Sequence, residues 1–496
     1  MRTPLCLVLM LCAFAARAQE IDVLEKALDD FNGGRNARAA VGFFEVEEKG
    51  TSRDNRIKAE YYLAQSLNRL GQGFGAFFYY GQIINQGSQH PYYYKAVEGA
   101  VAVIEQSGDE VLGPNVLAKA YTPELSRLPP DVFAKVNYYL ALLDYRSGKY
   151  DEAEQLLRSS SAANTNRAQA LYLEGLLQQR KAPREALQTF REILALQGDN
   201  YRDLAGVKEL AHLALGRSLY ALQRFAEASA EYAQLPRFSR HWDEALFEGA
   251  YADLMNDDAG AALGRLHSLH SPHLSDEFAP ESLNLTAVIY HQRCLYPQVR
   301  EVIAQFNREY VPMKDQLKTL LKSTGGTGAF WQMLQPGSTA LPPAVRHHLE
   351  KNERVAAMVG YLGRLEAETA RARSSEELAK SPLGPDLLDL LAKQKALMSQ
   401  VAGKFIEGRL ADTEHLIEVL DGEKEIVGFE TTKGEKEMLE GNQDVKQRLL
   451  AQPLNRPPMP ASGHEYWPFD GEYWPDEIGY YKFTVKDACA PAKKEP

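Results

Sequence analysis

Three histidines at three-residue intervals are the first residues in this chain whose type and spacing suggest chemistry. His267, His270 and His273 are placed so that imidazoles could meet on a metal ion. Pro272 interrupts a helix before the third histidine, and neither a cysteine nor a carboxylate completes a known zinc pattern. We therefore expect ordinary histidines in a surface loop and no metal site.

The motifs of other catalytic sites are incomplete. The glycine-rich stretch 325–328 follows Lys322, whereas a phosphate loop ends in Gly-Lys-Ser/Thr, so we expect a hinge there. No serine stands in a Gly-x-Ser-x-Gly elbow. Paired carboxylates such as Asp151 and Glu152 stand at predicted helix starts, where negative charge favours the helix dipole. The sequence thus predicts neither an enzyme nor a bound cofactor.

The C-terminal region carries a different kind of chemistry, a concentration of aromatic and acidic side chains. A Glu-Tyr-Trp-Pro motif at 465–468 recurs at 472–475. Three interpretations are open: the rings pack back onto the protein, they contact a partner protein, or they stack on a glycan. Tyrosines of the N-terminal half could also line a groove for a partner. The candidate contact residues are Tyr466, Trp467, Phe469, Tyr473, Trp474, Tyr79 and Tyr93.

The N-terminus has the pattern of a secretory signal. Arg2 precedes an apolar run over 5–14, and Ala16-Arg17-Ala18 has the small-x-small form of a cleavage site. We expect residues 1–18 to be removed and the mature protein to lie in the periplasm or at the surface of a bacterium. Leu11 before Cys12 argues against a lipid anchor. No later segment is long and apolar enough to span a bilayer.

Composition and cysteine content exclude further classes of protein. A hydrophobic share of 45% excludes a disordered chain, and a net charge of -11 opposes binding to nucleic acid or anionic lipid. After signal removal only Cys294 and Cys489 remain, which is too few for a disulfide framework. Two alternatives are open: one long-range disulfide, or a buried Cys294 with an exposed Cys489.

Pairs of small residues about twelve positions apart recur through the first three-fifths of the chain. In each pair a small residue in one predicted helix is matched by another, or by valine, in the next helix, with a turn signal between them. An aromatic residue or leucine often follows four positions after the second member. The small residues expected at the helix contacts are Ala64, Ala76, Gly99, Ala141, Ala153, Gly175, Ala186, Gly216, Ala228, Gly249, Ala261 and Ala287. The second members stand 33–42 residues apart.

This pattern resembles the tetratricopeptide repeat, whose period is about 34 residues. The resemblance is carried by residues 137–160, with Ala141, the turn at Gly148 and Ala153, and by the weaker copies around it. The family's proline at the repeat end is mostly missing. The resemblance implies an all-α fold, a right-handed α-solenoid of about eight helix pairs over 19–310, and a role in binding proteins.

The remainder of the chain differs from the array. We expect a connecting segment over 311–343 and a helical hairpin over 344–425, since apolar residues there recur at spacings of three and four. A linker rich in proline and glycine should follow over 426–463, and then an irregular aromatic tail over 464–496.

These features together predict an exported scaffold that grips a protein partner, as tetratricopeptide components of motility or secretion machines do. The alternative is an envelope protein that binds glycan or peptidoglycan through Tyr466, Trp467, Tyr473 and Trp474.

Overall fold

A computed structural model describes residues 19–159, 164–441, 471–485 and 487–489 of the chain. Within these ranges the regular secondary structure is helical, which confirms the predicted all-α class. No helix in the described ranges combines the length and apolar character needed to cross a bilayer. The predicted signal segment, residues 1–18, lies outside the described residues.

The first eight helices form four consecutive pairs. They are α1 (19–32), α2 (Asn36–Lys49), α3 (Arg53–Arg69), α4 (Gly73–Asn85), α5 (Tyr93–Ser107), α6 (Gly113–Ala120), α7 (Pro130–Arg146) and α8 (Tyr150–Arg158). From the second pair onward the first helix is longer than the second, and the next eight helices continue this alternation until the last pair. They are α9 (Arg167–Lys181), α10 (Pro183–Ala195), α11 (Leu204–Ala221), α12 (Phe225–Tyr232), α13 (Trp242–Met255), α14 (Ala259–Leu269), α15 (Pro280–Gln292) and α16 (Tyr296–Ser323).

Five further helices complete the described chain. They are α17 (Thr327–Gln332), α18 (Pro343–Lys351), α19 (Glu353–Ser374), α20 (Glu376–Ala379) and α21 (Leu383–Gly441). The chain divides into two compact units. Unit 1 contains Met1–Arg167 and Glu353–Ala402, and unit 2 contains Ala168–Asn352 and Gly403–Pro496.

Short polar or glycine turns separate the two helices in several of the pairs. Gly34, Gly71 and Gly148 follow α1, α3 and α7, and each has a positive φ, a conformation that glycine adopts at no steric cost. Asp258 begins α14 by accepting a hydrogen bond from the backbone N–H of Ala261 at 2.9 Å. These local signals explain why the helix pairs are readable in the sequence.

The small residues predicted at the helix contacts are buried, with one exception. A β-carbon on Gly175 would overlap the ring of Phe190, and one on Gly216 would lie 2.6 Å from the ring of Tyr232. Phe190 and Tyr232 each stand four positions after the second small residue of their pair, so this position fills the space that the glycine leaves. The exception is Ala261, which is half-buried, while the neighbouring Ala262 is fully buried.

Helix α16 corrects one predicted boundary. It runs to Ser323 and therefore includes the first thirteen residues assigned to a connecting segment over 311–343. Pro312 lies inside the helix without ending it. Tyr310 and Leu317, on either side of the proline, are both buried, and their packing offsets the backbone hydrogen bond that the proline removes.

Helix α21 corrects a second boundary, because it continues to Gly441 through residues assigned to a linker beginning at 426. Its buried residues keep a spacing of three and four through Ile417, Leu420 and Lys424, and Thr431 extends the same face. Lys424 and Thr431 are polar, so the apolar periodicity fades from the sequence while the buried face persists. The Lys424 ammonium group lies 2.7 Å from the Asp421 carboxylate, and Thr431 lies 3.0 Å from the His291 ring.

Candidate functional site

One face of α14 in unit 2 carries an extended segment of the chain's own C-terminal region. We call this face, formed by Gly260, Gly264, His267 and Ser268, the α14 face. A β-carbon on Gly260 would overlap the carbonyl oxygen of Phe483, and one on Gly264 would overlap that of Tyr481. Residues four apart lie on the same side of a helix. The two glycines therefore let a second backbone lie directly against the helix.

Two hydrogen bonds set the direction of this segment. The Gly479 N–H donates to the Ser268 hydroxyl at 2.9 Å. The Phe483 N–H donates to the carbonyl oxygen of Gly260 at 3.0 Å. Because residue numbers rise along the segment as they fall along α14, the segment runs antiparallel to the helix.

Aromatic rings enclose the imidazole of His267. Tyr473 stacks on it with ring centroids 5.0 Å apart, and the rings of Tyr481 and Phe483 meet it edge-on at 4.9 and 5.2 Å. Burial lowers the pKa of His267 to about 4. Burial lowers the pKa of His270 to about 4 as well, with a smaller contribution from His267. Both imidazoles are neutral at pH 7, and that of His267 is a flat packing surface for the three rings.

A single aliphatic side chain anchors the segment in the core. Ile478 is fully buried and belongs to the hydrophobic cluster that contains Trp242 and Leu246. The next residue, Gly479, has a φ of 94°, and a β-carbon there would lie 2.9 Å from the Trp242 ring. The close approach and the positive φ both require glycine at this point.

Charged groups hold the edges of the segment. The Lys482 ammonium group lies 2.6 Å from the Asp258 carboxylate. The Arg237 guanidinium group donates to the carbonyl oxygens of Pro475 and Asp476 at 3.0 and 2.8 Å. These contacts are exposed, so they contribute less than the buried anchor does.

A disulfide bond between Cys294 and Cys489 closes the far end of the segment. The two α-carbons lie 5.2 Å apart, and the bond joins positions 195 residues apart in the sequence. The Ala488 N–H also donates to the carbonyl oxygen of Arg293 at 3.0 Å. Of the two alternatives left open by the sequence, the structure has the long-range disulfide.

The residues predicted to contact a partner differ in how exposed they are in the structure. Tyr473 packs on His267, whereas Trp474 is 55% exposed. Tyr79 and Tyr93 are buried among helices of unit 1, so the prediction that they line an open groove is wrong. The Tyr93 hydroxyl is committed to the carbonyl oxygen of Ala120. The sequence cannot separate buried rings from accessible ones in runs such as 77–80, where Phe78 alone is exposed. Tyr466, Trp467 and Phe469 lie outside the described residues.

The histidine prediction also needs correction. His267 lies within α14 and His270 follows its last residue, and neither is part of an open surface loop. The His270 imidazole lies 2.7 Å from the Ser282 hydroxyl, and His273 lies 3.3 Å from the carbonyl oxygen of Tyr473. Among the described residues, no group of three or more histidine, cysteine or acidic side chains is placed to hold a metal ion.

Unit 1 contains a pocket of a different character, which the sequence did not indicate. It has a volume of about 480 Å³ and is mostly polar. Its lining residues are Glu47, Arg53, Arg56, Ile57, Glu60, Gln82, Asn85 and Gln86. Burial, followed by repulsion from Glu48 and Glu60, raises the pKa of Glu47 to about 7. Gln86 donates hydrogen bonds of 3.0 and 3.1 Å to the buried Glu60 carboxylate.

Two acidic residues of unit 1 cap helices that are distant in sequence. Glu368 of α19 accepts hydrogen bonds from the N–H groups of Phe74 and Gly75 at the start of α4, both at 3.0 Å. Glu20 of α1 accepts from the N–H groups of Thr51 and Ser52, before α3, at 2.8 and 3.2 Å. These side chains satisfy donors that a helix start leaves without an internal partner.

Comparison with known proteins identifies no relative: no protein-family model matches this chain, and no curated protein matches it significantly.

Proposed function

We propose that this protein is a non-catalytic scaffold that binds segments of other proteins, with helix pairs of tetratricopeptide type stacked as a right-handed α-solenoid. The consecutive pairing of α1 to α16 supports this proposal, as does the recurrence of buried small residues opposite a large side chain in the pairs that contain Gly175 and Gly216. Such pairs expose long surfaces between turns, which suit extended ligands.

The observation that carries the proposal is the segment 478–483, which leaves a turn at Gly479 and then lies along the α14 face. Helix α14 holds a second stretch of backbone, here the chain's own, by direct contact at Gly260 and Gly264 and by two hydrogen bonds from the main-chain N–H groups of that stretch. Binding by main-chain contact needs little from the ligand's sequence beyond a few anchors, as in other modes of peptide recognition. It is the kind of contact that a scaffold makes with its partners.

We further propose that the scaffold is exported and belongs to an assembly of the bacterial envelope, such as a motility or secretion machine. The Cys294–Cys489 disulfide supports export, because disulfides persist in oxidising compartments and are rare in the cytosol. The signal-like pattern over 1–18 points the same way.

A second function, glycan binding by the tail, is favoured by one observation. Trp474 is 55% exposed and Tyr480 is 74% exposed, so two rings of the tail remain accessible to a flat sugar face. Tyr473 supports this function less, because His267 already covers its ring.

Crosslinking in the producing cell tests the scaffold proposal. A photoreactive residue at position 78, 121 or 251, where aromatic side chains are 39%, 42% and 38% exposed, should capture defined proteins that mass spectrometry identifies. Recovery of no protein partner from any position would contradict the proposal. Retention of the purified protein on envelope polysaccharide, lost in Trp474→Ala, would favour the glycan function instead.

A further inference from the structure

The segment that covers the α14 face contributes one core side chain, Ile478, whereas most core contacts of α14 are made with its neighbouring helices. The buried residues of α14 that form its core contacts, Ala262, Leu263 and Leu266, pack with Ala250 of α13 and Leu285 of α15. Phe483 and Val485 only border this cluster from the outside. The packing of α14 therefore depends mainly on its neighbouring helices, and the covering segment adds the Ile478 anchor and an outer layer.

We propose that the α14 face is a recognition site for an extended segment of a partner protein, and that residues 478–483 fill it as an internal ligand. The partner segment would carry an apolar residue, then glycine, a free position, and an aromatic, a basic and a second aromatic residue. This inference rests on the proposed scaffold function and names the chemistry of one partner.

The contacts of residues 478–483 explain each position of this pattern. Ile478 enters the core beside Trp242, and only glycine fits at 479 against the same ring. Tyr480 is 74% exposed, and the Arg237 guanidinium group lies 5.3 Å from its ring centroid, so this position accepts a range of side chains. Tyr481 and Phe483 grip the two sides of His267.

The pattern requires a basic residue at the position of Lys482 because the Asp258 carboxylate lies beside it. Lys482 reaches Asp258, the residue that also caps α14, so a partner's lysine or arginine would gain the same carboxylate. This exposed pair contributes more to discrimination between partners than to affinity. An acidic residue at that position would be repelled.

The disulfide decides whether the site is open to a partner. While Cys294 and Cys489 are joined, the segment is tethered beside the face at a high effective concentration, and a partner competes poorly. Reduction by a dithiol yields two free thiols on this chain and one disulfide on the reductant. The end of the segment is then held only by its non-covalent contacts.

The first test measures opening in the wild-type full-length protein. Hydrogen exchange should be compared with the disulfide intact and after reduction with dithiothreitol. After reduction, exchange of the Gly479 and Phe483 amides should accelerate at least about tenfold more than exchange of amides in the middle of α13 and α14. If the segment and α14 open together in a single step, it is ordinary core and the proposal is overturned.

The second test measures binding in trans. In the full-length chain, Ile478→Asp with Cys489→Ser releases the internal ligand but leaves the α14 face intact. A fluorescently labelled synthetic peptide of residues 476–485 should bind this variant and should bind the oxidised wild-type chain at least about tenfold more weakly. Equal binding to both proteins, or to neither, would overturn the proposal.

A matched pair of glycine variants locates the peptide. Gly264→Ala, added to the released variant, places a methyl group where the peptide backbone must lie and should weaken binding at least about tenfold. Gly408→Ala is the control, because a β-carbon at this exposed position of α21 meets nothing within 4 Å, and binding should be unchanged. Equal affinity in both variants would place the peptide elsewhere.

Failure of this inference and failure of the scaffold proposal are distinguishable. If peptide 476–485 does not bind but crosslinks from positions 78, 121 and 251 still capture partners, only the inference about the α14 face fails. If the peptide binds but no protein is captured in the cell, the site exists and the scaffold proposal fails.

Discussion

The α14 face of unit 2 and the polar pocket of unit 1 are two surfaces of helix pairs with opposite chemistry. On α14, Gly260 and Gly264 remove side chains from one stripe, so a peptide backbone lies on the helix itself. In unit 1, Glu47, Arg53 and Arg56 project into a pocket that suits small polar or charged groups. A few side chains thus decide whether the surface of a helix pair binds a peptide backbone or a small polar molecule.

The two units also differ in how distant segments are fastened. Unit 2 uses a covalent bond between Cys294 and Cys489, and unit 1 uses the carboxylates of Glu20 and Glu368 as helix caps. A covalent link is insensitive to moderate changes of pH, whereas a carboxylate cap changes with its protonation. The predictions below test this contrast from the largest expected effect to the smallest.

Removal of the disulfide should weaken unit 2 alone. In the chain-entropy account, a link across 195 residues contributes up to roughly 5 kcal/mol, and measured disulfides typically contribute about 2–4 kcal/mol. We expect Cys294→Ser with Cys489→Ser to lower the free energy of unfolding of unit 2 by about 2–5 kcal/mol. Hydrogen exchange resolved by unit measures this loss. An equal loss in α2 to α5 would show that the bond does not act within unit 2.

Removal of the Glu368 carboxylate should weaken the start of α4. Glu368→Ala leaves the N–H groups of Phe74 and Gly75 buried without an acceptor, at a cost of about 2–3 kcal/mol. Faster amide exchange in α4, with α14 unchanged, is the expected result. Glu368→Gln keeps one acceptor oxygen and should lose less. If both variants exchange as the wild type does, the cap contributes nothing.

The same carboxylate predicts a pH dependence. Burial raises the pKa of Glu368 to about 7, although the N–H groups of Phe74 and Gly75 oppose the shift. The folded state therefore holds a proton that the unfolded state releases from pH 4.5 upward, and this group's stabilisation is lost as the pH rises toward 7. Protection of α4, corrected for the intrinsic exchange rate, should fall over this range in the wild type but not in Glu368→Gln.

Glycine-to-alanine substitutions test whether the two units share one packing device. Gly99 lies against the ring of Tyr80 in unit 1, and Gly216 lies against the ring of Tyr232 in unit 2. Each alanine variant should lose about 1–3 kcal/mol of local stability through overpacking, less the helix propensity that alanine gains. Thermal unfolding measures both, with Gly408→Ala as the control that gains stability. A loss in one unit only would show that the units are packed differently.

Acidification should loosen the α14 face by the smallest amount. His267 has a pKa of about 4 in the folded protein, below its ordinary value near 6.5, so the unfolded state binds protons first as the pH falls. Stability is complete well above pH 6.5 and is lost toward pH 4, by about 1 kcal/mol at pH 5.8. Trp242 fluorescence, which senses Gly479, reports the change. His267→Phe should abolish it, and an unchanged pH response in that variant would assign the effect to His270.

Several features of the helix pairs have a local cause that is present in the sequence. The small residues at positions such as 141, 153, 175 and 186 are buried at helix contacts, and turn glycines such as Gly148 have the positive φ that the turns require. The fourth residue after the second small position packs on the glycine in the pairs of Gly175 and Gly216. Residue size, turn-forming residues and spacing along one helix can all be inferred from a single sequence.

Other features depend on which segments meet across long distances in the chain, and only the tertiary structure decided them. Cys294 and Cys489 pair because the tail returns to α15 and α16. The role of Gly260 and Gly264 is visible only in their contacts with the carbonyl groups of Tyr481 and Phe483, which are distant in sequence. The sequence pattern does not show where α21 ends, because two polar residues, Lys424 and Thr431, occupy the buried face of the helix. Their burial requires the polar partners Asp421 and His291.

The sequence by itself therefore determined the helix pairs and the small residues that pack them, since helix periodicity and side-chain volume act between near neighbours. The tertiary structure decided what lies on those pairs: the segment on the α14 face, the disulfide beside it and the pocket of unit 1. These depend on polar and backbone contacts between residues far apart in the chain, and such contacts leave no period in the sequence.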